Sequence, residues 1–451
     1  MKQFIARIAA SVLALSAVAG PPAAAQTAAV SQAAAKPAAQ GDAPHSWIDP
    51  LTGHRIVRIT KQAGSQSLYF HQNPYTPQGD MMVITTPDGI AKVRLRDWKL
   101  MPLVNDRDAE LLFTGRKTRT AYFSKPASGG GTTIFGVDID SGKIRRIATL
   151  AEGSIGSINA DETLLLGQWA ERNPPLQPGG DMQKHGDPAY AAKGPDGQPL
   201  SYAEAKEVRL DQRLEARIPM EIFTIDIRTG ERKVVIASTD WLNHVQSSPT
   251  DPGLIMYCHE GPWHKVDRIW TIRTDGTGNT RVHTRSMNME IAGHEFFSPD
   301  GKWIWYDLQT PRGEDFWLAG FEIATGKRRW YHVERNQWSV HYYQSPDMTR
   351  FSGDGGDSEM VAHAPDGKYL YLFTPKDIPD VAGIHADNAA DLISPGTLQP
   401  EKIVDMRNHD YKLEPNITFT PDGKWIVFRG NMEGEAHVYA AELAPAAEAA
   451  R

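Results

Sequence analysis

The sequence has almost no cysteine, no excess of positive charge and no long apolar run beyond its first residues. Cys258 is the only cysteine among 451 residues, so an intrachain disulfide is excluded and stability must come from buried apolar surface. The 48 lysines and arginines are outnumbered by 55 aspartates and glutamates, for a net charge of -7, which argues against a nucleic-acid-binding surface. No later segment approaches the ~20 apolar residues of a membrane-spanning helix, so we expect no integral membrane protein.

The first residues have the pattern of a leader. Lys2 and Arg7 precede an apolar stretch at residues 8–19, and small residues follow, as in a Sec-type signal peptide. A buried N-terminal helix is the weaker alternative, because the chain continues as an alanine-, glutamine- and proline-rich linker. We therefore predict a periplasmic or secreted protein. Its parts would be a signal peptide at 1–25, a disordered linker at 26–45 and one folded domain at 46–445.

A short motif recurs along the chain, in which a Pro/Asp/Gly-rich turn leads into a run of aromatic or β-branched residues. This pattern is typical of a tight hairpin followed by a half-buried strand. Adjacent copies lie roughly 45 to 50 residues apart or near multiples of that spacing, which is the period of four-stranded propeller blades. The mature length then predicts an all-β propeller of seven or eight blades. The copies begin at residues 75 (YTPQGD), 158 (INADET), 247 (SSPTDP), 297 (FSPDGK), 344 (QSPDMT) and 419 (FTPDGK).

Two long segments interrupt the repeat. Residues 173–199 are rich in proline and glycine and precede a charged, helical pattern at 203–218, and residues 375–396 form the second interruption. Long insertions at one end of a repeat array often shape a binding face, and solvated decoration is the alternative. We expect at least one of the two to border the functional cleft.

The densest chemistry lies between Cys258 and Trp303, where the chain reads CHEGPWHKVDRIW and then AGHEFFSPDGKW. Histidine is the side chain whose unperturbed pKa lies near neutrality, and arginine keeps its charge at any physiological pH. Together these residue types suit proton abstraction beside an anionic substrate.

These segments, together with HYYQSPD followed by GDGGD and with NITFTPDGKWIVF, resemble the oligogalacturonate lyases of polysaccharide lyase family 22. The likeness extends over most of the mature chain, and CHEGP followed by the Asp-Arg pair is its most specific part. The resemblance implies a seven-bladed propeller with TolB-like repeats. It also implies a lyase of pectin degradation that cleaves an acidic oligosaccharide, chiefly oligogalacturonate, by β-elimination without an organic cofactor.

Two residues carry the reaction in this resemblance. His294 stands where the family's catalytic base stands, and it would remove the proton from C5 of the sugar. Arg268 stands at the substrate-positioning arginine and would hold the uronate carboxylate as a bidentate clamp. The alternatives are a histidine bonded to a turn and a salt bridge from Arg268 to Asp267. We expect both residues on neighbouring strands of one blade or at its edge.

Four further residues are candidates for binding the substrate beside this pair. His259, His264 and Lys265 flank Arg268, and His244 lies just before the turn of its own blade. A turn held by side-chain to backbone hydrogen bonds is the alternative for the first three. His283, in contrast, is expected at the surface.

The resemblance also implies a manganese ion, held by one histidine and by a Gln/His/His cluster before the last blade. The single histidine corresponds to His341, and His409 is a further possible ligand. Oxygen ligands at the cluster could hold Mn²⁺ or Ca²⁺. The alternative is a metal-free site in which Arg268 and a lysine or tyrosine neutralise the substrate. None of the three cluster positions carries the family residue: they are Tyr411, Glu414 and Asn416.

A second class of function is a non-catalytic TolB-like propeller that binds a protein or a glycan in the periplasm. The altered ligand cluster favours this alternative. The presence of His294 and Arg268 opposes it, because a binding module needs no base beside a carboxylate clamp.

Overall fold

Each turn motif of the sequence is followed by a strand that pairs back on the preceding one. In the motif that begins at residue 297, the hydroxyl of Ser298 donates to the Asp300 carboxylate at 2.6 Å and accepts the amide of Trp303 at 2.9 Å. Thr420 closes the last motif in the same way. The residue before the turn proline therefore fixes both the turn and the first residue of the next strand.

The computed structural model describes most of the folded part of the chain. The predicted signal peptide, nearly all of the predicted linker and almost all of the 173–199 insertion lie outside the described residues, so these remain predictions. The described residues are 44–172, 198, 202–357, 367–379, 381, 383 and 385–445.

Antiparallel strands rich in β-branched and aromatic residues form the first three blades of a propeller. Two N-terminal strands, β1 (His45–Ile48) and β2 (His54–Arg58), precede them. Blade 1 is β3 (Met81–Thr86), β4 (Gly89–Arg94) and β5 (Lys99–Val104); blade 2 is β6 (Glu110–Thr114), β7 (Thr120–Pro126), β8 (Thr132–Asp138) and β9 (Ile144–Leu150); blade 3 is β10 (Ser154–Ile158), β11 (Leu164–Ala170), β12 (Met220–Asp226) and β13 (Arg232–Ser238), with helix α1 (Tyr202–Ala216) between β11 and β12.

Four more blades follow. Blade 4 is β14 (Trp241–Ser247), β15 (Leu254–Glu260), β16 (Ile269–Arg273) and β17 (Thr280–Arg281); blade 5 is β18 (Ile291–Phe297), β19 (Trp303–Gln309), β20 (Phe316–Glu322) and β21 (Arg328–Val333); blade 6 is β22 (Tyr342–Gln344), β23 (Phe351–Gly353), β24 (Tyr369–Asp377) and β25 (Ser394–Asp405); blade 7 is β26 (Thr418–Phe419), β27 (Trp425–Gly430) and β28 (His437–Pro445). Two 3₁₀ turns lie at Arg335–Gln337 and Ala389–Asp391.

The N-terminal strands complete the last blade. β2 pairs with β28, with Ile56 opposite Ala441 and Val57 opposite Ala440, and β1 pairs with β2 on the outer side. Ile56 and both alanines have no exposed surface. The start of the domain is therefore built into the sheet that ends it, which closes the ring and removes two free strand edges.

Apolar side chains fill the spaces between neighbouring blades. The run WIWY at the start of β19 shows how the alternation of a strand achieves this. Ile304 and Tyr306 pack towards Met256 of blade 4, whereas Trp305 packs towards Phe351 of blade 6. Because each face of the sheet packs against another blade, the strand has apolar side chains on both faces instead of apolar residues alternating with polar ones.

The architecture agrees with the prediction. Within the described residues there are seven blades, so the all-β propeller is confirmed and the eight-bladed alternative is not realised. Blades 5 and 6 are additionally joined at their outer edges, where β21 and β25 pair in parallel. Among the helices described, none combines the length and the apolar character needed to cross a membrane.

Candidate active site

The candidate site is built from residues that lie in, or directly before, the first strands of blades 4 to 7. In blades 4 to 7 the residue five positions before the turn proline is polar: His244, His294, His341 and Asn416. The rings of His294 and His341, from neighbouring blades, have their centroids only 4.8 Å apart. The repeat thus places side chains that are about 50 residues apart in sequence at one point.

The backbone at three of these positions is left-handed. His244, His294 and Asn416 have φ values of 47°, 46° and 51°. The pairing of β14 with β15 and of β18 with β19 shifts register at the first two positions, as in a β-bulge. Bulges turn a side chain away from the regular pleat, and strained backbone of this kind is concentrated at functional sites.

Asp307 and Asp354, on the second strands of blades 5 and 6, hold the two neighbouring histidines. Nδ1 of His294 lies 2.8 Å from Oδ1 of Asp307, and Nδ1 of His341 lies 2.7 Å from Oδ2 of Asp354. When such a carboxylate is ionised it accepts the Nδ1 proton, so Nε2 keeps its lone pair. Both rings are therefore oriented with the reactive nitrogen away from the carboxylate.

The surroundings of the two histidines shift their pKa values in opposite directions. Burial opposes protonation of His294, but the charge and the hydrogen bond of Asp307 outweigh it and raise the pKa of His294 above its usual value. His341 is fully buried, and burial lowers its pKa to about 3. Asp307 therefore favours the protonated form of His294, whereas His341 stays a neutral imidazole.

Arg268 lies beside the pair in a buried network. Its Nε donates to Glu295 at 3.1 Å and its NH2 donates to Nδ1 of His244 at 2.8 Å, while Glu260 lies 3.9 Å from NH1. Although burial favours the neutral acid, Arg268 and His244 hold the pKa of Glu295 well below its usual range. Among the described residues, NH1 of Arg268 makes no hydrogen bond. One donor of a largely compensated guanidinium thus remains for a ligand.

Cys258 adds a thiol to this network. In the described part of the chain, His244, Cys258 and Glu295 are the one group of three potential ligand residues whose atoms lie within 4.8 Å of one another. Burial raises the pKa of Cys258 well above its usual value, and Arg268 already contacts both of the other members. A metal ion at this group would lie beside the positively charged guanidinium of Arg268. We therefore interpret these three residues as the environment of Arg268 rather than as a metal site.

The predicted metal ligands come together only in part. Nε2 of His341 lies 4.0 Å from Oε2 of Glu414, so these two could bind one ion. Tyr411 is buried, and its hydroxyl donates to the Asp354 carbonyl at 2.8 Å. The Asn416 side chain accepts the amide of Phe70 and donates to the Glu414 carbonyl.

His409 is also placed away from that pair. Its Nε2 lies 2.7 Å from the carbonyl of Leu413, and its Nδ1 accepts the amide of Asn431 at 3.2 Å. Burial lowers its pKa to about 4. With both ring nitrogens bonded to backbone, His409 holds the segment that carries Glu414.

The remaining predicted substrate-binding residues occupy different places. His259 lies on the face of β15 opposite to Cys258 and Glu260, with Nε2 3.5 Å from Asp240, so it points away from Arg268. Lys265 pairs at 2.7 Å with Asp211 of α1, and His264 precedes it in the same loop. Helix α1 therefore lies against the loop that leads to Arg268.

Two expectations from the sequence are wrong. His283 is buried rather than at the surface, because its ring lies between Glu290, at 2.6 Å, and the Tyr306 hydroxyl, at 3.0 Å. His294 and Arg268 belong to blades 5 and 4 rather than to one blade, because β17 ends the earlier blade between them. The salt bridge from Arg268 to Asp267 is not formed either, since Asp267 pairs with Arg281.

The sequence reasoning missed the residues behind the histidines. Asp307 and Asp354 both follow their turn proline by eight residues, just as the histidines precede it by five. This common spacing was the available signal. Tyr69, whose hydroxyl lies 3.2 Å from Nε2 of His341, comes from the segment before blade 1 and has no such marker.

Comparison with known proteins places these observations in one group. A family model described as oligogalacturonate lyase matches residues 215–447. The chain is 24% identical to an oligogalacturonide lyase of Pectobacterium atrosepticum over 410 residues, covering 88% of this chain and 96% of that one. It is 27% identical to an oligogalacturonate lyase of Dickeya dadantii over 229 residues, covering 49% and 55%.

Solved structures agree with the fold. An oligogalacturonate lyase in complex with manganese superposes with a TM-score of 0.68 at 22% identity, covering 89% of this chain and 96% of that chain. The oligogalacturonate lyase from Vibrio parahaemolyticus gives 0.65 at 20% identity, covering 90% and 99%. At these identities the likeness concerns the architecture.

Proposed function

The chain belongs to the oligogalacturonate lyase family, and from this premise we propose that it is an exported lyase that cleaves uronate-containing oligosaccharides, chiefly oligogalacturonate, by β-elimination. The family confirms the predicted class of enzyme, a carbon-oxygen lyase, over the non-catalytic binding propeller. The observation that carries the proposal for this chain is the His294–Asp307 pair beside buried Arg268. His294 has a raised pKa, and its Nε2 makes no hydrogen bond to any of the described residues.

His294 is the general base of this proposal. Nε2 removes the proton from C5 of the uronate, the electrons of that C–H bond form the C4=C5 double bond, and the bond from C4 to the glycosidic oxygen breaks. The oxygen leaves with the bonding pair and takes a proton from water to become a hydroxyl. Asp307 holds the other ring nitrogen and stabilises the imidazolium that forms. The C5 proton is weakly acidic until the neighbouring carboxylate is neutralised, so the site also needs positive charge at that carboxylate.

Arg268 supplies part of that charge. Its NH1 is the donor that the buried network leaves for the substrate carboxylate. Because Glu295 and Glu260 compensate most of its charge, its main contribution is a fixed direction for one hydrogen bond rather than a strong positive potential.

We propose His341 and Glu414 as the protein ligands of a divalent cation. Asp354 fixes the His341 ring as carboxylates do for metal-binding histidines, and the Glu414 carboxylate lies 4.0 Å from its Nε2. When bound, such a cation neutralises negative charge on substrate oxygens. The manganese complex of a structural relative supports this role for the fold.

Export can be tested on the full chain expressed in a Gram-negative host. We expect activity in the osmotic-shock fraction and a mature N-terminus near residue 26, as the apolar leader predicts. N-terminal sequencing of the purified protein is the measurement. An unprocessed chain confined to the cytoplasm would contradict export and leave the proposed reaction untouched.

Replacement of the base should remove the reaction. We expect His294→Ala to lower kcat about 10²- to 10⁴-fold, because a positioned general base contributes rate enhancement of this order. The measurement is the near-ultraviolet absorbance of the unsaturated uronate formed from oligogalacturonate. The matched control is His332→Ala, since His332 lies on the outer strand β21. Full activity of the His294 variant would refute the assignment.

The pH dependence of kcat/KM should depend on Asp307 as well as on His294. The base must be neutral, so kcat/KM rises as pH increases through the raised pKa of His294. In Asp307→Asn that pKa falls, so the acid limb should move to lower pH while the plateau drops about 10- to 100-fold. The exposed Asp108→Asn variant serves as control. An acid limb at the same pH in both enzymes would show that Asp307 does not tune the base.

Cation binding is measurable without turnover. We expect titration calorimetry with Mn²⁺ to show one site, and His341→Ala or Glu414→Gln to weaken it at least about 10-fold. Glu314→Gln, at an exposed residue of blade 5, is the matched control. Equal Mn²⁺ affinity in all four proteins would mean that the ion is held elsewhere or only adventitiously.

A further inference from the structure

Arg429 is an arginine of the site that no step so far uses. It lies on β27 of blade 7, eight residues after the turn proline, which is the position of Asp307 in blade 5 and of Asp354 in blade 6. In those blades the residue is a carboxylate that orients a histidine. In blade 7 the position that carries the histidine in blades 5 and 6 is Asn416. The carboxylate position is therefore occupied by a cationic side chain, and there is no histidine for it to orient.

None of the hydrogen bonds of Arg429 goes to a carboxylate, although the nearby Glu414 carboxylate favours its charged form. Nε donates to the carbonyl oxygen of Glu414 at 2.7 Å, and NH1 donates to Oε1 of Gln66 at 2.9 Å. Both acceptors are neutral. Among the described residues no carboxylate lies within ion-pair distance of Arg429, and its NH2 has no hydrogen-bond acceptor.

Arg268 differs from Arg429 in this respect. Arg268 has one carboxylate at 3.1 Å and a second at 3.9 Å, and only 7% of it is exposed. A guanidinium paired in this way attracts a further anion weakly, because the buried carboxylates already satisfy it. Arg429 is partly exposed and is hydrogen-bonded only to neutral groups, so an incoming carboxylate would be the first at ion-pair distance from it.

Arg429 also lies on the reaction side of the site. Its Nε is bonded to Glu414, whose carboxylate lies 4.0 Å from Nε2 of His341, and the Tyr69 hydroxyl lies 3.2 Å from the same nitrogen. The ring of His341 is in turn 4.8 Å from that of His294. Besides burial, the charge of Arg429 lowers the pKa of His341, so an anion held by Arg429 would lie on the side of the site that carries the histidines.

We propose that Arg429 forms a carboxylate-binding subsite for a uronate residue of the oligosaccharide, with the NH2 group as donor. The inference rests on the proposed function for the identity of the ligand. It explains how the chain supplies unpaired positive charge beside the histidines although Arg268 is compensated, and it makes the site selective for acidic over neutral oligosaccharides.

The test measures binding rather than turnover. Trigalacturonate is titrated calorimetrically into a His294→Ala background at low and at moderate salt. Adding Arg429→Gln should weaken binding about 10- to 100-fold, the loss expected for a charge-assisted hydrogen bond, and should flatten the salt dependence. Arg429→Lys should retain most of the affinity. Arg407→Gln, at an exposed arginine paired with Asp405, is the control and should match the parent.

The results separate a carboxylate-binding role of Arg429 from a purely structural one. Equal weakening by the glutamine and lysine variants, with unchanged salt dependence, would mean that Arg429 only supports the segment of Glu414 and would overturn the subsite. Unchanged affinity in the glutamine variant would overturn it as well. The proposed reaction is judged separately, by the absorbance that the unsubstituted protein produces from oligogalacturonate.

Discussion

Closure of the ring by β2 and β28 is the constraint on which the rest of the structure depends. Ile56 and Val57 complete the sheet of blade 7, and this pairing joins the start of the domain to its last blade. No single blade brings two histidines together, because each contributes one side chain at a given height. The site exists because neighbouring blades repeat the same spacing, so that His294 and His341 meet although 46 residues separate them in the sequence.

The repeat also explains how the groups of the site acquire different properties. Two blades place a carboxylate behind the axial histidine, yet burial makes His341 a neutral imidazole while partly exposed His294 has a raised pKa. One blade replaces the pair with Asn416 and Arg429, and another surrounds His244 with Arg268, Glu295 and a thiol. Substitution at two positions of a common frame therefore places imidazole, amide, carboxylate and guanidinium groups around the same point without any change of fold.

The features of the fold and the site that could be predicted are those encoded by residues close together in the sequence. The turn motif is a short sequence pattern, so the propeller could be predicted from segments such as FSPDGK. His294 and Arg268 were indicated by the resemblance to the oligogalacturonate lyases. The partners of those residues depend on pairing between strands and between blades, which no local pattern reveals. His283 was misplaced for the same reason: its burial comes from Glu290 and Tyr306, and nothing near it in sequence shows that contact.

The distribution of charge around the histidines limits what the altered ligand cluster can mean. Tyr411 and Asn416 are hydrogen-bonded within the protein, so among the four predicted ligands in the described part of the chain only His341 and Glu414 are placed to bind one cation together. A two-ligand site binds weakly unless substrate oxygens complete the coordination. Part of the neutralisation must then come from fixed charges, and Arg268 is largely compensated by Glu295. The position of Arg429, bonded to the backbone of Glu414 itself, places the missing positive charge beside the incomplete cluster. The departure from the family's ligands and the free arginine are thus two parts of one electrostatic arrangement.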